Sequence, residues 1–263
     1  MTDKLGDRMK EFYEGRSKFF LPRRMPIIAR IDGKAFHTFT KGFKKPSDTI
    51  IRDCMTETAI ELCQQIQGAK IAYIQSDEIS VLITDYDDIK TDAWFNKNVQ
   101  KMVSISASIA TVAFNRHYHW IVDNYNFSEM PKMKDFYEKK LFQAQFDSRV
   151  FVLPKEEVVN YFIWRQNDAT RNAIQGLGQA NFSHKEMQNI HTTALQEKLW
   201  QEKQINFNDE PEWYKRGWTV IKKSYFKDPD SVHDGARRTH WVPDFEMPIL
   251  TQDKNYIDKL VNL

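Results

Sequence analysis

The segment IAYIQSDEISVLITD at 71–85 constrains this chain more than any other stretch. Two apolar, partly alternating runs meet at Ser76, Asp77 and Glu78, a pattern that fits a buried β-hairpin with a polar tip. The neighbouring segments say what that hairpin joins. MPIIARID at 25–32 reads as a central strand entered through Pro26, interrupted by Arg30 and breaking at Asp32-Gly33. Ser47 or Asp48 then caps a helix whose apolar residues Ile51, Met55, Ala59, Leu62 and Ile66 recur every three or four positions, and Gly68 closes it. A second helical stretch runs from about Asp92 to Arg116, and FDSRVFVLP at 146–154 reads as a strand ending at Pro154. The order strand, helix, hairpin, helix, strand predicts an α/β (α+β) chain built on a ferredoxin-type antiparallel sheet with packed helices.

After Pro154 the pattern turns mostly helical. Ser183 and Glu186 form a capping-box signature ahead of a polar helix rich in Gln and Lys, and 218–226 and 236–245 carry β-formers that predict two further strands. No internal repeat or long linker separates these parts. The expectation is one domain over 1–263, with a sheet-and-helix core at about 1–155 and a helical and short-strand extension at 156–263.

Composition narrows the class. A chain of 263 residues with 41% hydrophobic and 28% charged residues is ordinary for a soluble globular protein, and no apolar stretch approaches the roughly 20 residues of a membrane span. The N-terminal MTDKLGDRMKEFYEGR lacks the apolar core of a secretory signal, so a cytoplasmic address without membrane contact is expected. Cys54 and Cys63 fall on one helical pattern and read as small core residues rather than a disulfide or a zinc site. The net charge of +2 does not by itself imply nucleic-acid binding, but FTKGFKK at 39–45, KMKDFYEKK at 132–140 and WYKRGWTVIKK at 213–223 interleave bases with aromatics. Such stretches suit phosphate contact and base stacking, or else solvated faces with the rings turned inward. The histidines show no HExxH or HxxxH spacing, and neither GxxxxGK[ST] nor GxGxxG is present, which disfavours zinc enzymes, P-loops and Rossmann sites.

Two readings remain for the acidic residues. Asp77 and Glu78 can be ordinary turn residues, with Asp32-Gly33 a strand-ending turn. Alternatively the first strand lies beside the hairpin and Asp32 faces Asp77. Two converging carboxylates repel unless a cation sits between them, and hard oxygen ligands favour Mg²⁺ or Mn²⁺. A dimetal phosphoryl-transfer site would fit, with Gly33 giving close main-chain approach and Lys34 and His37 within reach of phosphate.

Taken together, ARIDGKAFHTFTKGFKKPSD at 29–48, IAYIQSDEISVLI at 71–83, FDSRVFVLP at 146–154 and YFIWRQND at 161–168 closely resemble the tRNA-His guanylyltransferase family and its guanylyltransferase-like relatives. The resemblance implies a palm-like catalytic domain and a template-dependent 3′-5′ nucleotidyltransferase that adds nucleotides to tRNA 5′ ends. By the same resemblance Asp32 and Asp77 are catalytic and bind two Mg²⁺ ions, with the Gly33 carbonyl completing one shell. Asp32, Gly33, Lys34, Ala35, Phe36, His37, Ser76 and Asp77 would bind the nucleotide. ATP first activates a 5′-monophosphate, and the 3′-hydroxyl of GTP or another NTP then attacks it. Homotetrameric assembly is also implied. Arg30, Lys44, Lys45, Glu78 and Arg165 are further candidates for triphosphate or tRNA contacts. One departure matters: where the eukaryotic guanylyltransferases have a His-Ile-Asn-Asn-Leu-Tyr-like stretch, this chain has Ala169, Thr170, Arg171, Asn172, Ala173 and Ile174, with Thr170 at the histidine position. That favours the branch resembling enzymes that repair 5′-truncated tRNAs. A nucleotide cyclase on a palm-like fold, or a non-catalytic tRNA-binding protein, are the alternatives.

Overall fold

The structure, a computed structural model, describes residues 3–128, 131–226 and 237–262. Its strands are β1 (Ile27–Gly33), β2 (Ala69–Gln75), β3 (Glu78–Ile83), β4 (Phe146–Val152), β5 (Trp218–Phe226) and β6 (Arg237–Asp244). The helices are α1 (Lys4–Phe12), α2 (Phe36–Phe39), α3 (Thr49–Gln65), α4 (Val99–Asn124), α5 (Pro131–Glu138), α6 (Lys155–Asn181), α7 (His184–Met187), α8 (Thr192–Lys203), α9 (Glu212–Arg216) and α10 (Asn255–Asp258). Strand order is β4-β1-β3-β2-β5-β6, with every paired neighbour antiparallel. The first four strands with α3 and α4 as crossovers make the expected ferredoxin-type unit, and β5 and β6 widen it. Of the predicted strand at 236–245, Ala236 lies outside the described residues.

Alternation along the strands assigns each residue to a face. Ile27, Ala29, Ile31, Ala72, Ile74, Ile79, Val81 and Ile83 join the large core beneath α3 and α4. Ile28, Ile71, Tyr73 and Leu82 point the other way, against Val158, Val159, Tyr161 and Phe162 of α6. The sheet is buried on both faces, which is why its central strands read as almost continuous apolar runs. By the same pleat Arg30, Asp32, Glu78 and Ser80 are displayed on the α6 side.

Asp48 is the N-cap of α3; its carboxylate accepts the N–H groups of Ile50 (2.9 Å) and Ile51 (3.2 Å). Two elements differ from expectation. The helix predicted from Asp92 begins at Val99, after a 3₁₀ turn in which Phe95, Asn96 and Lys97 all take positive φ. That turn drives the Lys97 ammonium inward, where it donates to the Pro22 (2.8 Å) and Met25 (3.0 Å) carbonyls and lies 3.0 Å from the Asp85 carboxylate. The capping box at Ser183 and Glu186 is present, but it opens only the four-residue α7, and the polar helix is the separate α8. Asn189, at φ 61°, lies between them in a conformation that helices exclude.

Candidate active site

The hairpin turns over Ser76 and Asp77, with Gln75 paired to Glu78. Ser76 takes φ 50°, and its hydroxyl donates to Asp77 Oδ1 at 2.8 Å. The tip is fixed to the end of β1 by a main-chain bond, Gly33 N–H to the Asp77 carbonyl at 3.1 Å. Gly33 has a packing reason to be glycine, since a Cβ there would stand 2.2 Å from the Phe36 ring. Asp32 is opposite Glu78 on one side and Asp147 of β4 on the other. Three strands thus bring four carboxyl groups to one end of the sheet.

The electrostatics differ among them. Burial pushes the Asp77 carboxyl up to about 6; the Ser76 hydroxyl works against this, and the Asp32 charge adds to it. Asp32 is also raised, first by burial and then by Asp147, with Arg149 and Arg30 opposing. Glu78 has a different fate: Arg165 of α6 grips it with Nε and Nη2, both at 2.8 Å, while Nη2 also reaches Asp168 at 3.1 Å. The Glu78 and Arg165 side chains are only 12% and 7% exposed, so this is a buried, bidentate pair. Glu78 therefore anchors the hairpin tip under α6, and Arg165 directs its fork at Glu78.

A cleft of about 680 Å³ opens over these groups. Asp32, Ser76, Asp77, Glu78, Lys44, Lys45 and Arg165 all line it, so seven predicted residues converge there. Lys34, Ala35, Phe36 and His37 are not among the lining residues. Lys34 turns its ammonium to Gln145 Oε1 at 2.9 Å, Ala35 and His37 are exposed, and Phe36 is buried with its ring 4.9 Å from Phe39 and 5.2 Å from Phe146. For Phe36 only the main chain is left to meet a ligand. Of WYKRGW, Trp213, Tyr214, Gly217 and Trp218 line the cleft, and the two bases are engaged within the protein. Trp213 meets Trp218 edge-on at 6.0 Å, Lys215 donates to the Asn208 carbonyl at 2.7 Å, and Arg216 pairs with Glu212. The sequence reading assigned no site role to Asp168 and Asn172, which line the cleft, or to Asp147, which stands opposite Asp32; Asp168 and Asp147 lie within the WRQND and FDSR motifs.

The donor set suits magnesium better than a transition metal. Among the described residues no group of three or more His, Cys, Asp or Glu side chains is placed to hold an ion. Asp32 and Asp77 offer only oxygen donors, and among the described residues no cationic side chain pairs with Asp77, a set compatible with the few-ligand mode by which Mg²⁺ binds together with substrate phosphates.

A ferredoxin-type sheet that brings paired carboxylates to a cleft also lined by two lysines suits a phosphoryl-transfer enzyme, and the comparisons give that class. The sequence profile described as Thg1: tRNAHis guanylyltransferase matches residues 6–154. A bacterial tRNA(His) guanylyltransferase (Thg1)-like protein in complex with ATP is 45% identical, with a TM-score of 0.84 over 99% of this chain and 100% of that one. Such a protein in complex with GTP is 41% identical, with a TM-score of 0.77 over the same shares. The tRNA(His) guanylyltransferase of Debaryomyces hansenii is 29% identical over 82% of this chain and 81% of its own length. The chain belongs to the tRNA-His guanylyltransferase family and is a nucleotidyltransferase.

Proposed function

We propose that this protein adds nucleotides in the 3′-5′ direction to the 5′ ends of tRNA, using a template strand, and that its substrates include 5′-truncated tRNAs. The observation that carries the reading is the convergence of Asp32 and Asp77, both with raised carboxyl pKa, at a cleft flanked by Lys44 and Lys45. The ATP and GTP bound to the bacterial relatives support both nucleotides as substrates here. Asp32 and Asp77, with the Gly33 carbonyl, would hold two Mg²⁺ ions, which supply positive charge for in-line displacement at phosphorus when bound. Lys44 and Lys45 offset triphosphate charge from the cleft wall. The Glu78–Arg165 pair holds the tip that carries Asp77, so that the carboxylates meet the reacting phosphate in fixed geometry.

In this reading the 5′-monophosphate attacks the α-phosphorus of ATP and displaces pyrophosphate, giving an adenylylated 5′ end, and the 3′-hydroxyl of the incoming nucleotide then displaces AMP. Thr170 at the position of the eukaryotic histidine supports the repair branch over obligatory guanylate addition to tRNA-His. Leu5, Met9 and Phe12 leave an apolar face of α1 exposed, which supports assembly into a homotetramer. We also take the chain as one domain acting in the cytoplasm; among the described residues no helix is long and apolar enough to cross a membrane.

The test is an extension assay with Mg²⁺ and NTPs on intact tRNA-His and several 5′-truncated tRNAs. Extension of truncated tRNAs of different identity, lost on Asp77→Ala, is expected. Exclusive use of tRNA-His would overturn the repair assignment. Formation of a cyclic nucleotide without RNA would point to a cyclase, and tRNA binding without incorporation to a non-catalytic role.

A further inference from the structure

Of the three stretches that interleave bases with aromatics, KMKDFYEKK at 132–140 contributes no residue to the cleft. The fold sets it instead against the segment that carries the cleft lysines. Lys140 donates to the Thr38 carbonyl at 3.2 Å, and a Cβ on Gly42 would stand 2.9 Å from the Phe136 ring. Gly42 takes φ 94° where the chain passes from α2 to Phe43 and the two lysines.

The segment from Phe43 to Asp48 depends on such support. Lys44 and Lys45 are exposed, and among the described residues neither ammonium has a partner that would hold it. The segment is fixed at its two ends. Phe43 is buried, with its ring stacked 4.3 Å from that of Tyr137 on α5. Asp48, besides capping α3, accepts the Lys44 N–H at 3.2 Å and the Tyr137 hydroxyl. With the Ile50 and Ile51 N–H groups this makes four donors on one carboxylate, as many as its lone pairs accommodate. Tyr137 therefore touches both ends, with its ring before Lys44 and its hydroxyl after Pro46. It is itself immobilised: it is 3% exposed, and its carbonyl accepts the Tyr118 hydroxyl at 2.9 Å. Burial, followed by the Asp48 carboxylate, raises the phenol pKa, so the hydroxyl remains a donor at neutral pH. A phenylalanine would fill the same space, and what the hydroxyl adds is the bond to Asp48.

We propose that Tyr137 is a positioning residue for the nucleoside triphosphate: it clasps the Phe43–Asp48 segment at both ends and so fixes where Lys44 and Lys45 meet the phosphates. The proposal rests on the reading of Lys44 and Lys45 as the cations that offset triphosphate charge, and it adds what holds them. Without the hydroxyl Asp48 still caps α3, but the segment is closed only by the Lys44 N–H, and ordering it then opposes nucleotide binding.

The test is a double-variant cycle in the full-length protein between Tyr137→Phe and the pair Lys44→Ala/Lys45→Ala, read as GTP affinity in Mg²⁺ without RNA. Tyr137→Phe should weaken GTP by about tenfold, the worth of one hydrogen bond to a charged group. The lysine pair should weaken it at least as much, and adding Tyr137→Phe to that pair should change affinity by less than about twofold. In the extension assay Tyr137→Phe should raise the KM for GTP and leave kcat within about twofold, because the lysines grip the phosphates before and during reaction alike. A merely structural defect would instead lower kcat through the folded fraction and leave KM alone. Tyr137→Phe removes one atom from a packed site, so the fold survives to be measured. GTP affinity within about twofold of wild type in Tyr137→Phe, or full additivity with the lysine pair, overturns the proposal. Unchanged affinity in the lysine pair overturns the reading of the lysines, and the clasp falls with it.

Discussion

Arg165→Leu removes one half of the buried pair that anchors the hairpin tip. In the wild type two 2.8 Å bonds satisfy both Glu78 oxygens, and the two side chains are 7% and 12% exposed. The variant leaves a carboxylate withdrawn from water with no cation, and removing one partner of such a pair costs about 3–5 kcal/mol. At about 2–4 °C per kcal/mol for chains of this size class, Tm should fall by about 6–20 °C. A double-mutant cycle with Glu78→Leu isolates the coupling. Glu78→Leu alone strands Arg165, though Asp168 at 3.1 Å still partners it, so that single change should cost less. The double variant, with neither charge, should recover much of the loss. The measurement is urea unfolding followed by far-UV circular dichroism, with unchanged m-values as the check on two-state behaviour. A cycle that is additive within about 0.5 kcal/mol would refute the anchoring argument. The tip carries Asp77, so Arg165→Leu should also lower extension activity by about 10²-fold even where the protein is fully folded.

Three further outcomes are expected. Asp77 is raised to about 6, against about 4 when unfolded, so its penalty is fully present above pH 6 and is relieved as pH falls toward 4. Without divalent ions the wild type should gain about 2–3 kcal/mol over that range relative to Asp77→Asn; Mg²⁺ at pH 7 should raise the wild-type Tm and leave Asp77→Asn unmoved. Asp85 is buried, and although burial alone raises its carboxyl, the Arg24 N–H, Lys97 and Arg23 hold it below the usual range. Its contribution is complete above the unfolded value near 4 and is lost as pH falls further, and Asp85→Ala should cost about 3–5 kcal/mol by stranding the Lys97 ammonium, with Asp85→Leu/Lys97→Met recovering most of it in thermal melts. Gly33→Ala puts a methyl group into the Phe36 ring and should cost about 1–3 kcal/mol, with partial rescue by Phe36→Leu in the same melts.

Much of the sheet was legible because its signals are local. Period-two alternation located β2 and β3, and the Ser47-Asp48 pair announced α3, of which Asp48 is the cap. The start of α4 was not, since Phe95, Asn96 and Lys97 adopt left-handed geometry for the sake of Asp85, which is remote in sequence. The placement of Asp32 and Asp77 at one end of the sheet was legible through the ordered motifs, whereas the raised Asp77 carboxyl, which comes first from burial, was not. The role of Glu78 was not legible, because a residue on α6 decides it. Arg149 and Asp147 escaped for a related reason: their position opposite Arg30 and Asp32 is a matter of strand register, and no short window of sequence contains a register.

The bond from the Gly33 amide to the Asp77 carbonyl works as a caliper. Backbone sets the spacing of the two chain segments that carry the carboxylates. The loop that carries Lys44 and Lys45 and the face of α6 that carries Asn172 lie outside this frame. Lys44, Lys45 and Asn172 can be exchanged, and the cleft wall changed with them, while the spacing of the two chain segments that carry Asp32 and Asp77 stays the same.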